Sequence, residues 1–516
     1  AALASVEVAM LQAWSVPDVR EAEAAAMATL PDGELMQRAA KGLAAVARAR
    51  LRGMPRGGGR RVVGLVGSGG NGGDTLYALA RLARKGAADE VAGVLVSPRG
   101  VHPGGLKAAR RHGVRIVDTG AGAAEAAAAV SAVAEATLLL DGLTGIGGRA
   151  GWAPDSAETI EELLAVVPGD CYVIAVDLPS GADPAGEVVD SPGVWADETV
   201  TFGLAKPVHL LATADRCGAL TMVDIGLSPT TAPAAERLEH DDVAALWPVP
   251  GPTDDKYARG VLGIVAGGQG YTGAAILAVT AAVCAGAGMV RYVGPHEPTW
   301  LVRTAVPEAV LGMPGQGQRV QAWLVGPGLD QDDSSETGGA QLAHAREALA
   351  SGLPCVVDAG GLALLDGPRA GAGARTLLTP HAGELARLLA RLEEAEVTRA
   401  AVEADPVGHA RRAAAALHAT VLLKGHTTYV VPPPASGLPV RAQADAPGWL
   451  GTAGSGDVLA GLAGTLLAAG LDPLDAGSLA ALVHGVAGET ANPGGPVRAL
   501  AVAQAIAPTV ATLLRR

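Results

Sequence analysis

The stretch VVGLVGSGGNGGDTLYALARLARKG, residues 62–86, reads as a strand, a glycine-rich turn and a helix. That order repeats along the chain. Short Val/Leu/Ile runs, RVVGLV, VAGVLV, TLLL, CYVIAV and ETVTF, alternate with helical patterns, the signature of a parallel sheet covered by helices. A helical stretch over 17–50, interrupted near LPDGE, precedes them. The alternation lapses around DIGLSPTTAPAAERLEHDDVAALWPVPGPTDDKYARG into Pro, Thr and Ala, a linker composition, which predicts a boundary near Thr230. A second α/β alternation then begins with VLGIVAGGQGYTGAAILAVTAAV and runs through AWLVGPGLD, PCVVDAGGL, RTLLTPHAGELARLL, TVLLKGHTTYVV and GTAGSGDVLAGLAGTLLAAG. No close repeat relates the two halves. Two different α/β domains are expected, 1–229 and 230–516.

Composition agrees with this division. At 516 residues the chain exceeds one hydrophobic core, and ~150 residues per domain suggests several. Aromatic residues make up only 3% and glycine contributes 71 residues, so Ala, Val and Leu must build the cores around close backbone approaches. A net charge of −13 without a basic patch argues against nucleic-acid and anionic-membrane partners. Cys171, Cys217, Cys284 and Cys355 show no metal-ligand spacing and read as reduced thiols. No apolar run is long enough to span a bilayer, and the expected location is cytoplasmic.

The chemistry concentrates beyond strand ends. Gly67, Gly69 and Gly72 satisfy GxGxxG, yet the acid that should end the next strand of a dinucleotide fold is missing, because VLV runs into SPRG. Asn71 and Asp74 in this loop can cap the helix or serve a ligand. The TLLL run stops at Asp141 and YVIAV stops at Asp177, so both acids are expected to face one crevice with the loop 67–74. Through GNGGD, DGLTGIG, VDLPSG and VTFGLAKP, the first half resembles the NAD(P)H-hydrate epimerase family, over most of residues 10–226. The resemblance implies a Rossmann-like three-layer sandwich. It makes Asn71, Asp141 and Ser180 ligands of a potassium ion, and their oxygen donors suit a hard cation. It makes Gly70, Asn71, Gly72, Gly73 and Asp74, with Gly145, Ile146, Gly147, Gly148, Arg149, Ala150 and Gly151, the substrate-contacting loops, and Asp177 a substrate-binding, catalytic acid. Gly70 replaces the family's usual Asn, and Thr75 its usual Gly.

In the second half, AGSGD places the backbone of Gly454, Ser455 and Gly456 at a helix N-terminus, which favours an anion. Asp457 beside such an anion reads as a base that takes a proton from a hydroxyl attacking phosphorus, or as a simple helix N-terminal acid. GxxxxGK[ST] is absent, which excludes the P-loop class. With LLKGHTT, TPHAGE, GGQGYTGAA, VGPGL and VVDAGGL, GSGD resembles the ribokinase-like superfamily, in its ADP- or ATP-dependent NAD(P)H-hydrate dehydratase branch, over nearly all of 240–490. That resemblance implies a ribokinase-like three-layer sandwich. Lys424, Gly425, His426, Thr427, Thr428, Gly454 and Gly456 would then contact the adenine nucleotide, and Ala274, Gly328, His381 and Asp457 the hydrated dinucleotide. Taken alone, His381 reads as a helix cap or core histidine. The family's HKG segment appears as DKYARG, with Lys256 matched.

Together the two resemblances imply one repair enzyme with two chemistries. It would epimerise the R and S forms of NADH hydrate and NADPH hydrate, and dehydrate the S form with ADP or ATP and magnesium, as a homo-oligomer. The alternative is a ribokinase-superfamily small-molecule kinase fused to a dinucleotide-binding module.

Overall fold

The computed structural model describes residues 10–54, 59–96, 100–313, 319–371 and 375–515. The chain divides into two compact units, one of Gln12–Ala235 and one built on Glu236–Arg516. Between them in sequence, the Pro/Thr/Ala-rich stretch 224–260 carries only short elements, such as the strand Ala235–Arg237 and the helix Val243–Leu246.

The first unit holds β1 (Arg61–Val66), β2 (Glu90–Leu95), β3 (Arg115–Asp118), β4 (Leu138–Gly142), β5 (Tyr172–Val176), β6 (Glu198–Phe202) and β7 (Ala219–Val223). They lie in the order β3-β2-β1-β4-β5-β6-β7, and each pair is parallel. Because side chains alternate across a strand, Val62, Val66, Leu138 and Leu140 join one core, with Leu43, Leu76 and Leu79 from the helices Glu34–Gly53 and Gly70–Arg84. Val63, Leu65 and Leu139 join the opposite core, with Val133 and Leu163 from Ala123–Ala134 and Ala157–Ala165. This is the three-layer α/β sandwich expected. The five strands expected from sequence all form, and the structure adds the edge strands β3 and β7. Their RIVD and ALTMV runs are partly exposed and lack the continuous apolar character of a central strand.

The second unit contains β8 (Val261–Val265), β9 (Met289–Val293), β10 (Val310–Leu311), β11 (Ala322–Val325), β12 (Cys355–Val357), β13 (Thr376–Leu378), β14 (Thr420–Leu423), β15 (Thr428–Val431) and β16 (Val440–Gln443). Their order is β16-β15-β14-β13-β12-β11-β8-β9-β10. The pairs from β14 to β10 are parallel, and β14-β15-β16 form an antiparallel edge. One face packs Leu262, Ile264, Leu324 and Val356 under helices Thr272–Cys284 and Ser455–Ala468. Helices Glu336–Ala350 and Pro406–Leu417 also pack on the sheet, against β11 and β14. Small residues let the helices close up: a Cβ at Gly461 would stand 2.3 Å from the Ala278 carbonyl oxygen.

In each sheet the chain leaves neighbouring strands in opposite directions at one point, between β1 and β4 and between β8 and β11. A crevice opens beyond the strand ends at such a switch point. Among the described residues no helix is long and apolar enough to cross a membrane. Cys171, Cys217 and Cys355 are buried, and Cys284 is half-buried.

Candidate active sites

At the first switch point a cavity of about 640 Å3 is lined by Gly70, Asn71, Asp74, Gly145, Ile146, Gly147, Gly148 and Asp177, together with Glu23, Tyr77 and His102. Gly72, Gly73, Arg149, Ala150 and Gly151 stand back from its wall. Gly72 and Gly73 serve packing, since a Cβ would meet the Gly67 carbonyl oxygen at 2.2 Å or the Met36 side chain at 3.0 Å. The Gly151 N–H instead ties its loop to the Gly181 carbonyl at 2.8 Å. Gly70 faces open space, so a side chain there is missing rather than excluded. Thr75 fits because Gly64 and Gly142 make room for its methyl and hydroxyl, and its Oγ1 donates to the Asn71 carbonyl at 2.7 Å.

Asp177 follows β5 in a left-handed conformation, φ +69°, that few non-glycine residues adopt. Its backbone is pinned on both sides. The N–H donates to the Val200 carbonyl at 2.8 Å, and the carbonyl accepts from His209 Nε2 at 2.8 Å. Burial, aided by the nearby Lys206 charge, pushes the His209 imidazole down to about 4, so the ring is neutral, with Nδ1 accepting from the Lys206 N–H at 3.0 Å. The Asp177 carboxylate accepts from the buried Lys206 ammonium at 2.5 Å and from Thr201 Oγ1 at 3.0 Å. Asp74 is 7% exposed, and its Oδ1 is buried with no hydrogen-bond partner. Burial first, then the Asp177 and Glu23 carboxylates, push its carboxyl well above the usual aspartate range.

Asn71, Asp141 and Ser180 meet around Thr144. Asn71 Nδ2 donates to the Thr144 carbonyl at 2.9 Å, Ser180 Oγ accepts from the Thr144 N–H at 2.9 Å, and Asp141 accepts from the Ser180 N–H at 2.8 Å. Asp141 is fully buried, and burial pushes its carboxyl up to about 6 against hydrogen bonds from Ser180 and Leu143, with no cationic side chain offsetting it. An oxygen-only donor set around a buried carboxylate that no ammonium or guanidinium compensates fits an alkali cation.

At the second switch point, another cavity of about 640 Å3 is lined by Ala274, Gly328, Asp457, Tyr271, Asp330, Glu384, Arg387 and Arg391, among others. Asp457 stands in the first turn of helix Ser455–Ala468, which starts from Gly454 at φ +87° without a side-chain cap. Burial, then the Asp358 and Glu384 carboxylates, push Asp457 up to about 7 against the opposing pull of Lys424. Lys424 Nζ donates to Asp358 at 2.8 Å and lies 3.6 Å from Glu384, next to the backbone of Gly456. Gly425, His426 and Thr427 form the turn into Thr428 on β15. His381 caps helix Ala382–Glu393: Nδ1 accepts from the Gly383 and Glu384 N–H groups at 3.1 and 3.3 Å, leaving Nε2 3.6 Å from Glu384. His381, Lys424–Thr428, Gly454 and Gly456 do not line this cavity.

Residues 262–506 match a family model described as NAD(P)H-hydrate dehydratase, and residues 32–208 match one described as YjeF-related protein N-terminus. The bifunctional NAD(P)H-hydrate repair enzyme Nnr of Mycobacterium tuberculosis is 45% identical over 464 residues, 89% of each chain. That of Mycobacterium leprae is 43% identical over 477 residues, 91% of this chain and 92% of its own. The chain belongs to the bifunctional NAD(P)H-hydrate repair enzyme family. A Bacillus subtilis crystal structure of an ADP/ATP-dependent NAD(P)H-hydrate dehydratase is also similar, at 24% identity and a TM-score of 0.47, covering 54% of this chain and 98% of that one. In this member of the repair enzyme family, several polar residues escape the sequence reading: Glu23 at the first crevice with Lys206 and His209 buried behind it, and Glu384 and Arg387 at the second with Asp358 buried behind it. Lys206 lies inside the quoted VTFGLAKP and Glu384 inside TPHAGE, so their motifs carried a signal. Glu23 sits in the N-terminal helix, outside every motif.

Proposed function

We propose that the chain repairs hydrated nicotinamide dinucleotides in two steps, with residues 1–229 as the epimerase domain and 230–516 as the dehydratase domain. The observation that carries this reading is Asp457. A half-buried carboxyl raised to about 7 stands at an uncapped helix N-terminus, on the wall of a cavity of about 640 Å3. In the S hydrate, the C6 hydroxyl is next to a ring nitrogen whose lone pair can expel it, but hydroxide is a poor leaving group. Asp457 takes the hydroxyl proton as the oxygen attacks the terminal phosphoryl group of ADP or ATP, the bridging P–O bond breaks to release AMP or ADP, and the amides of Gly454–Gly456 hold the transferring group. The phosphate then leaves with the C6–O electron pair, the nitrogen lone pair forms the N1=C6 bond, and loss of a C5 proton restores NADH or NADPH. Lys424 through Thr428 supply the nucleotide side of the site, and Ala274, Gly328 and His381 the hydrate side. Magnesium enters with the nucleotide phosphates. Among the described residues no three His, Cys, Asp or Glu side chains stand together to cage it.

In the first unit, Asn71, Asp141 and Ser180 would hold a potassium ion, which would offset the buried Asp141 charge and steady the loops 70–74 and 145–151 around the substrate. Asp177 acts as the base that promotes opening and re-closure at C6. The test is to supply purified S hydrate with ADP or ATP and magnesium. The reading expects dihydronicotinamide absorbance to return with release of inorganic phosphate. A stable phosphorylated hydrate, or none of either product, would contradict it.

A further inference from the structure

The mechanism above uses Asp177 but gives no task to Asp74. Opening the hydrate ring needs two proton movements at once. A base removes the C6 hydroxyl proton, the C6–N1 bond breaks with its electron pair going to N1, and N1 must gain a proton. We propose that Asp74, uncharged, is the acid that protonates N1, working in the same cavity as the Asp177 carboxylate. This rests on the epimerase reading of the first unit.

Asp74 reaches the cavity from the second turn of helix Gly70–Arg84, and Asp177 reaches it from the end of β5. Their surroundings divide the two roles. The Asp177 carboxylate is matched by the Lys206 ammonium and the Thr201 hydroxyl, which suits an ionised base. Asp74 has no such partner. Its Oδ1 is buried and unpaired, and an ionised carboxylate so placed would sit beside Asp177 and Glu23 with no hydrogen bond to hold its charge, whereas a protonated one leaves an O–H to give. The Lys206 charge pulls the Asp74 carboxyl down only in part, because burial and the Asp177 and Glu23 carboxylates outweigh it, and its ammonium is bonded to Asp177. The cycle closes without a net reagent. The open form is an aldehyde at C6 and an N–H at N1. After rotation about C5–C6, N1 attacks the other face of the carbonyl, returns its proton to Asp74, and the new hydroxyl takes the proton held by Asp177.

Asp74→Asn has the shape of the protonated acid without its labile proton. In the full chain, exchange of R and S NADH hydrate without nucleotide is expected to lose ~10²–10⁴-fold in kcat. Equilibrium binding of the hydrate to that unit should stay within a few-fold, and ADP-dependent dehydration of the S epimer by the second unit should be unchanged. Asp74→Ala, measured alongside, should regain exchange when acetic acid is added. Exchange by Asp74→Asn within a few-fold of wild type overturns the proposal. So does loss of exchange together with hydrate binding, when acetic acid fails to restore Asp74→Ala. If the wild-type chain itself shows no exchange, the epimerase reading fails, and the proposal with it.

Discussion

Asp457 and Asp141 are both acids raised by burial, and they give opposite pH behaviour because one must be charged to act and the other must be charged to be costly. A base works only when unprotonated, so kcat/KM for dehydration of the S hydrate should rise through pH about 7 and level off above it. Asp457→Asn should lower dehydration ~10²–10⁴-fold while leaving nucleotide binding and R/S exchange intact. For Asp141, the folded value of about 6 lies above the ordinary 3.8. Its contribution to stability is therefore full below 3.8 and lost as pH rises through about 6, a loss on the order of 3 kcal/mol at neutral pH. An alkali cation would offset that loss. Asp141→Asn should thus melt higher than wild type at pH 7 in choline buffer, and the gap should close below pH 4 or on adding potassium. Equal melting temperatures throughout would remove the cation from the account. The sequence made Asp457, Asp141 and Asp177 legible because each ends a strand or opens a helix beside glycine. Lys206 lies 29 residues from Asp177 and Asp358 lies 66 from Lys424, and only the folded sheets bring these pairs together.

Strands and helices were legible where burial was complete. β1, β4 and β8 read as unbroken apolar runs, while β3 and β7, half-wet at the sheet edge, do not. The glycines of helix Ser455–Ala468 read only as permissive residues. The fold shows that Gly461 is required, since it lets this helix touch Thr272–Cys284 at the Ala278 carbonyl. Gly461→Ala should overpack that contact and cost ~1–3 kcal/mol, despite alanine's better helix propensity. Denaturant unfolding of the full chain checks this, and an unchanged or raised midpoint for the second unit would refute the packing argument.

The two crevices belong to different units, each with its own sheet and cores, so the activities should separate with the chain. A fragment starting near Ala235 should fold, convert S hydrate with ADP or ATP, and leave R hydrate untouched. The intact chain should do more, because the first unit converts what the second cannot use. The deciding measurement is therefore the extent, not the rate, of absorbance recovery from a mixture of R and S NADH hydrate, run with ADP and with ATP. With nucleotide and potassium present, recovery should pass the share present as S and run to completion. Recovery that halts at the S share, or does not begin with either nucleotide, would contradict the account.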